Sequence, residues 1–231
     1  MKILAIETST LMGSVAVVDD AHLLCELTLH VEETHSAQLM PAVDYVLKTV
    51  GVAPANLDGF AVALGPGSFT GLRIGMSTAK GLAVAASKPV VGISTLEAMA
   101  WRFPYCPSLI CPLIDARMKE VYGAWFRAID GRIMRLSEDL VLPVSDLLKD
   151  LGEDAVFFGS GSQRYREEIA GTAKGHAKFA WPETDGADAS IVGFLAAEKV
   201  KRGDIPNIDE LEPLYIRELQ ALTRKPKDID R

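Results

Sequence analysis

Glycines, hydroxyls and one early carboxylate are the residues of this chain with a spacing suited to phosphate chemistry. The run Gly65-Pro66-Gly67-Ser68-Phe69-Thr70-Gly71 lies between an apolar stretch, Leu57 to Leu64, and a small-residue run that reads as a helix. Glycine permits positive φ and close backbone approach, and a helix N-terminus offers unpaired N–H groups, so the segment has the makings of an anion loop. It is neither standard nucleotide loop. GxxxxGK[ST] needs Lys and a hydroxyl after the last glycine, where Leu72 and Arg73 stand, and the spacing is not GxGxxG. A tight turn packing helix against sheet accounts for it equally well. Thr8 and Ser9 follow Ile6-Glu7 ahead of Gly13-Ser14, a hairpin layout in which hydroxyls and turn amides hold a phosphate. Gly159 and Gly161 follow the apolar Ala155 to Phe158, a strand end of the kind where open α/β sheets admit a nucleotide. Thr8, Ser9, Gly65, Gly67, Gly159 and Gly161 are therefore the candidate cofactor-binding residues, for a nucleotide held weakly at most, with no cofactor required.

Metal and nucleophile patterns are sparse. His22, His30, His35 and His176 form no HxxH or HxxxH pair, and Cys25, Cys106 and Cys111 form no CxxC and no Cys–His cluster with zinc spacing. Buried thiols are expected rather than a disulfide or a metal knuckle. Asp115 with Arg117, or Glu97 alone, lacks the partner at defined spacing that acid–base catalysis needs. No catalytic residue and no metal site are assigned.

The 231 residues suit one large domain or two small ones at roughly 150 residues each. A hydrophobic content of 48% and a charged content of 24% are ordinary globular usage. With 31 acidic against 24 basic residues the formal charge is -7, so the body should repel a polyanion and autonomous nucleic-acid binding is not expected. The tail is the local exception: Arg217, Arg224, Lys225, Lys227 and Arg231 outnumber Glu218, Asp228 and Asp230. No apolar run reaches the roughly 18 residues of a membrane span, and Glu7 interrupts the apolar start, so neither a membrane helix nor a signal sequence is read and a cytoplasmic location is expected.

Periodicity supplies the elements that must carry these residues. Three alternating runs in the first thirty residues read as an antiparallel meander, and Leu39, Val43, Val46, Leu47 and Val50 fall at helical spacing after the N-cap candidate Thr34. Strand, glycine loop, helix and the strand Pro89 to Ser94 follow, then a helix capped by Thr95, for an order βββαβαβα. After Pro104 to Pro107 a hairpin turning at Ala116 to Lys119 opens a second unit of the same plan, ending in a long helix within Ala187 to Gly203. The expected boundary divides lobes of residues 1–103 and 104–231.

The segments ILAIETST, GPGSFTGLRIGMSTAKGLA, GISTLEAMA, IDARMKEVYGAWF and PLYIRE together resemble the TsaB (YeaZ) family, a glycoprotease-related branch of the actin-like ATPase superfamily. The match runs from the first residues to about Ala221. It implies an α/β fold of two RNase H-like lobes, each a mixed sheet with flanking helices. It also implies a role in making threonylcarbamoyladenosine beside the anticodon of tRNAs that read codons beginning with A. In that role the chain is a noncatalytic partner, a pseudoenzyme acting with TsaD and TsaE, which meets tRNA only through the complex and pairs with itself when alone. The catalytic relatives carry two metal-binding histidines in a stretch resembling GVxHxxxH; aligned from Gly92, those places hold Thr95 and Met99, neither a good ligand for a catalytic metal. The family's pairing surface lies on helices that correspond to about 35–50 and 73–87, which puts Leu39, Val43, Met76, Lys80 and Ala83 forward as interface residues. Two other readings remain open at this point, a metal-dependent hydrolase or peptidase and an actin-like ATPase with Glu7 near the γ-phosphate.

Overall fold

The computed structural model describes residues 1–30, 35–181 and 186–216. The first sheet opens with the meander β1 (Lys2–Glu7), β2 (Met12–Asp19) and β3 (His22–His30). Helix α1 (His35–Val50) leads to β4 (Gly59–Gly65), α2 (Phe69–Ala86), β5 (Val90–Ser94) and the short α3 (Thr95–Ala100). The strand order is β3-β2-β1-β4-β5, antiparallel across the meander and parallel from β1 to β5. The expected cap Thr34 lies outside the described residues. At α3 the cap is Ser94 rather than Thr95: its side chain accepts from the Glu97 amide, which leaves Thr95 as the first helical residue.

The second sheet is built from β6 (Leu109–Arg117), β7 (Glu120–Gly123), β8 (Phe126–Ile129), β9 (Arg132–Arg135), β10 (Leu140–Pro143), β11 (Ala155–Phe158) and β12 (Ala177–Phe179). Short helices α4 (Val144–Leu148), α5 (Ser160–Arg164) and α6 (Arg166–Thr172) connect the later strands, and α7 (Ala189–Lys201) follows them. Its order, β10-β7-β6-β11-β12, repeats the first sheet strand for strand, with the β8–β9 hairpin added against β6. This is the two-lobed RNase H-like plan. The turn joining β6 to β7 is tighter than expected. Arg117, Met118 and Lys119 all take positive φ, at 64°, 51° and 63°, where the Asn and Gly that usually mark such turns are missing.

Every core position of β1 is buried because both faces of the first sheet are covered. Leu4 and Ile6 meet α1 and α2 on one side, while Ile3 and Ala5 meet α7 and α3 on the other. The expected second lobe of residues 104–231 is therefore corrected: α7 returns to the first sheet. Its small apolar face, Ala189, Val192, Gly193, Ala196 and Ala197, packs on Ala5 and Val18, and a Cβ on Gly193 would stand 2.9 Å from a Val18 methyl. The Ala189 amide donates to Ser14 Oγ at 3.0 Å and the Ser190 amide to Glu26 Oε1 at 3.0 Å, so β2 and β3 satisfy the helix start. The same apolar cluster continues into the second lobe through Ile110, Ile114, Phe126 and Phe158.

A chain ended at Trp181 should lose amide-exchange protection in β1 and β4 before it does so in β6 and β11. The reverse order, read by exchange mass spectrometry, would assign α7 to the second lobe.

Candidate functional site

The C-terminal ends of β1 and β5 meet α3 and the start of α7 at the junction of the lobes, and Glu7 sits there fully buried. Its Oε1 accepts from the Ser9 amide at 2.7 Å and from the Ser9 hydroxyl, while Oε2 has no hydrogen-bond partner. Burial pushes the Glu7 carboxyl up from the usual 4.5 to about 7; the two Ser9 bonds oppose the rise, nearby Asp188 adds to it and Arg102 subtracts. Arg102 grips Asp188 with two nitrogens, Nε to Oδ2 at 2.8 Å and Nη2 to Oδ1. Thr95 Oγ1 is also buried and without a partner.

The six candidate nucleotide residues have been turned inward by packing. Thr8 Oγ1 donates to the Gly71 carbonyl at 2.8 Å, and Ser9 spends its amide and hydroxyl on Glu7 and its carbonyl on the Ser68 amide at 2.6 Å. A Cβ on Gly67 would collide with the Ser9 backbone, and one on Gly75 would collide with Thr8 Oγ1. Gly65, at φ +108°, faces the Leu72 side chain and the Leu214 carbonyl. In the second lobe a Cβ on Gly159, at φ +91°, would collide with the Leu113 carbonyl and the Met99 methyl, and one on Gly161 would stand 3.1 Å from the Leu113 and Ile114 backbone. The structure thus brings Gly67 to Ser9, and Gly159 and Gly161 to the β6 residues Leu113 and Ile114, and it uses each glycine for close approach of protein to protein. At these positions the contacts are those of tight turns packing helix against sheet, the alternative that the sequence left open.

Thr95 and Met99, both 0% exposed, are core residues; Met99 packs with Leu96, Ile114 and Phe158. Among the described residues no group of three or more His, Cys, Asp or Glu is placed to hold a metal ion. Asp115 is tied locally, accepting from Arg164 at 3.0 Å, from Tyr165 at 3.3 Å and from the Arg117 amide at 3.0 Å. A feature the sequence did not reveal joins the lobes: Ser94, at the end of β5, donates to Asp139 at 3.1 Å and accepts from Arg135 at 3.0 Å. Arg135 is ion-paired with the same Asp139 and lies 4.8 Å over the Phe126 ring.

The helix faces also need correction. Leu39, Val43, Met76 and Ala83 are 5%, 1%, 5% and 0% exposed and pack against Leu4, Ile6 and Val62, so they hold the helices to their own sheet. Lys80 is half-buried beside them. Helical spacing of apolar residues marks the face turned to the sheet, and outward apolar residues on the same helices blur that signal. The outward surface is made by Met40 and Tyr45 of α1 and by Ser77, Gly81 and Val84 of α2. Met40, Tyr45 and Val84 are 49%, 57% and 67% exposed.

Since the folded carboxyl of Glu7 titrates above its unfolded value, this group costs nothing below pH 4.5 and removes stability as the pH rises from 4.5 through about 7. Glu7→Gln should therefore be more stable than the parent by about 2–3 kcal/mol at about pH 8, with the gap closing on acidification. A gap independent of pH in urea titrations would show that Glu7 is ionised at ordinary cost.

A family model described as TsaD: tRNA N6-adenosine threonylcarbamoyltransferase matches residues 29–221. The tRNA threonylcarbamoyladenosine biosynthesis protein TsaB of Bacillus subtilis (strain 168) is 31% identical over 227 residues, covering 96% of each chain. Its namesake in Escherichia coli (strain K12) is 32% identical over 235 residues, covering 98% of this chain and 99% of that one. YeaZ from Pseudomonas aeruginosa superposes with a TM-score of 0.81 at 28% identity, over 93% of this chain and 99% of that one. An activator of 2-hydroxyisocaproyl-CoA dehydratase from Clostridium difficile, solved with bound ADPNP, shares the actin-like fold alone, with a TM-score of 0.51 at 11% identity, over 90% of this chain and 99% of that one. With the lobes, the motifs and these likenesses in agreement, the chain belongs to the TsaB (YeaZ) family of tRNA threonylcarbamoyladenosine biosynthesis proteins.

Proposed function

We propose that this chain is a noncatalytic subunit for threonylcarbamoyl transfer to tRNA, acting in the cytoplasm by pairing with a TsaD-type catalytic protein, with TsaE joining the complex. The observation that carries the reading is the fate of Thr95 and Met99. Where the resemblance places metal-binding histidines in the catalytic relatives, this chain has a hydroxyl and a thioether, both wholly enclosed in the core. A site that polarises a carbamoyl or phosphoryl oxygen needs ligands open to substrate, and these two side chains are used for packing instead.

The work then falls to association, and the outward face of α1 and α2 is suited to it. Met40, Tyr45 and Val84 expose apolar area beside the small residues Ser77 and Gly81, which let a partner helix approach closely. An isolated chain covers the same face by pairing with a second copy. The lobes are braced against one another by the Ser94–Asp139–Arg135 contacts, so the subunit offers its partner a stiff surface.

Reconstitution tests this directly. Threonine incorporation into tRNA by the TsaD-type protein and TsaE should require this chain, and equal modification without it would overturn the proposal. Val84→Arg should weaken pairing at least about tenfold with an unchanged melting temperature, as expected for a charge forced into an apolar interface centre. Co-elution indistinguishable from the parent would place the contact elsewhere. Turnover of ATP by the isolated chain that disappears in Glu7→Ala would instead favour an actin-like ATPase.

A further inference from the structure

After α7 the chain runs without helix or strand around the first sheet to its opposite face, where Ile208 and Leu211 join the core beneath α1 and α2. The Leu214 amide donates to the Leu64 carbonyl at 2.8 Å, which brings Tyr215 over the beginning of α2. There the Phe69 and Tyr215 rings lie 5.3 Å apart, and the Arg73 guanidinium sits 3.8 Å above Phe69 and 5.8 Å from the Tyr215 ring. Arg73 Nε donates to the Tyr215 hydroxyl at 3.0 Å.

Two rings and one hydrogen bond hold this guanidinium in place while leaving it exposed. Arg102, Arg127, Arg135 and Arg164 each have a carboxylate partner, whereas Arg73, like Arg132 and Arg166, has none among the described residues; what sets Arg73 apart is that two rings and the Tyr215 hydroxyl hold it at the start of α2. Its two terminal nitrogens donate to no described group, so the planar fork that matches a carboxylate is presented outward. Phe69, Arg73, Ser77 and Gly81 follow one another at intervals of four along α2, on the stripe that continues to the exposed apolar face.

We propose that Arg73, clamped by Phe69 and the C-terminal strap, is the polar anchor of the α1–α2 docking face and receives a carboxylate of the partner protein. This rests on the pairing proposed above and adds the group that the partner must supply. A carboxylate suits the site better than a nucleic-acid backbone does, because Asp209, Glu210 and Glu212 of the same strap are exposed nearby in sequence and oppose a polyanion. Ordering the arginine in advance lowers the conformational cost of the contact, and seating of the strap becomes a condition for tight pairing.

The test is the dissociation constant of the full chain with its TsaD-type partner, measured by calorimetry. Arg73→Ala should raise it at least about tenfold, and Arg73→Lys should fail to restore it, since an ammonium supplies neither the stack nor the fork. Tyr215→Ala should weaken pairing in the same direction. The gap between the parent and Arg73→Ala should shrink as salt rises from about 0.05 to 0.5 M, with melting temperatures unchanged. If Arg73→Ala pairs as the parent does while Val84→Arg does not, the anchor is wrong and the docking face stands. If neither change matters, the docking face fails as well. Loss of tRNA binding in Arg73→Ala with pairing intact would assign the arginine to nucleic acid and overturn the proposal.

Discussion

The structure turns on a backbone contact about as short as backbone contacts become. The Ser68 amide donates to the Ser9 carbonyl at 2.6 Å, with Gly67 directly against Ser9 and Gly75 directly against Thr8. A Cβ at Gly67 would require the hairpin or the helix to move, and one at Gly75 would displace the Thr8 hydroxyl from its bond to the Gly71 carbonyl. This clamp sets where α2 leaves β4 and therefore which residues of α2 face the sheet and which face outward. It also brings Phe69, the first residue of α2, to the place where the returning strap lays Tyr215. The loop that looks most like a phosphate cradle has been converted into the fastening of a helix.

A second consequence is felt at the lobe junction. Ser9, held by the clamp, supplies the two hydrogen bonds that the Glu7 carboxylate receives among the described residues, and both reach one oxygen. The other oxygen is enclosed without a partner, so desolvation outweighs hydrogen bonding and the carboxyl titrates near neutrality. Around it, α3 contributes core residues, Arg102 and Asp188 neutralise each other, and Ser94 engages Arg135 and Asp139 across the junction. The lobes are thus joined there by packed side chains and ion-paired groups.

Repetition of the strand order across the two sheets shows how that seam arises. Both units place their central strand beside a meander partner and a parallel neighbour, so the ends of β1 and β6 are equivalent positions. Glycine loops follow at equivalent points, after β4 and after β11, and both have been filled by neighbouring protein atoms. Among the described residues only the first unit has long helices on its outer face, and α7 reinforces that same sheet from behind. Long helices and the exposed apolar residues Met40, Tyr45 and Val84 are therefore found together in the first lobe.

The element order, the meanders and the two-unit plan were legible from sequence because alternation and helical spacing are local signals that burial imposes on neighbouring residues. The motif segments named the family because each is a contiguous run of residues, although a contact such as Gly67 on Ser9 joins two of them across the chain. Other features depend on residues far apart in it. Leu39 and Val43 could not be told from Met40 and Tyr45 as inward or outward until the helix was set on its sheet. α7 follows the second unit in sequence but finds its complementary small-residue surface, and Ser14 and Glu26 for its first amides, on the first. Glu7 is an ordinary glutamate in the one-dimensional text. Its altered acidity, like the clamped guanidinium of Arg73, is a property of the enclosure that only the assembled chain creates.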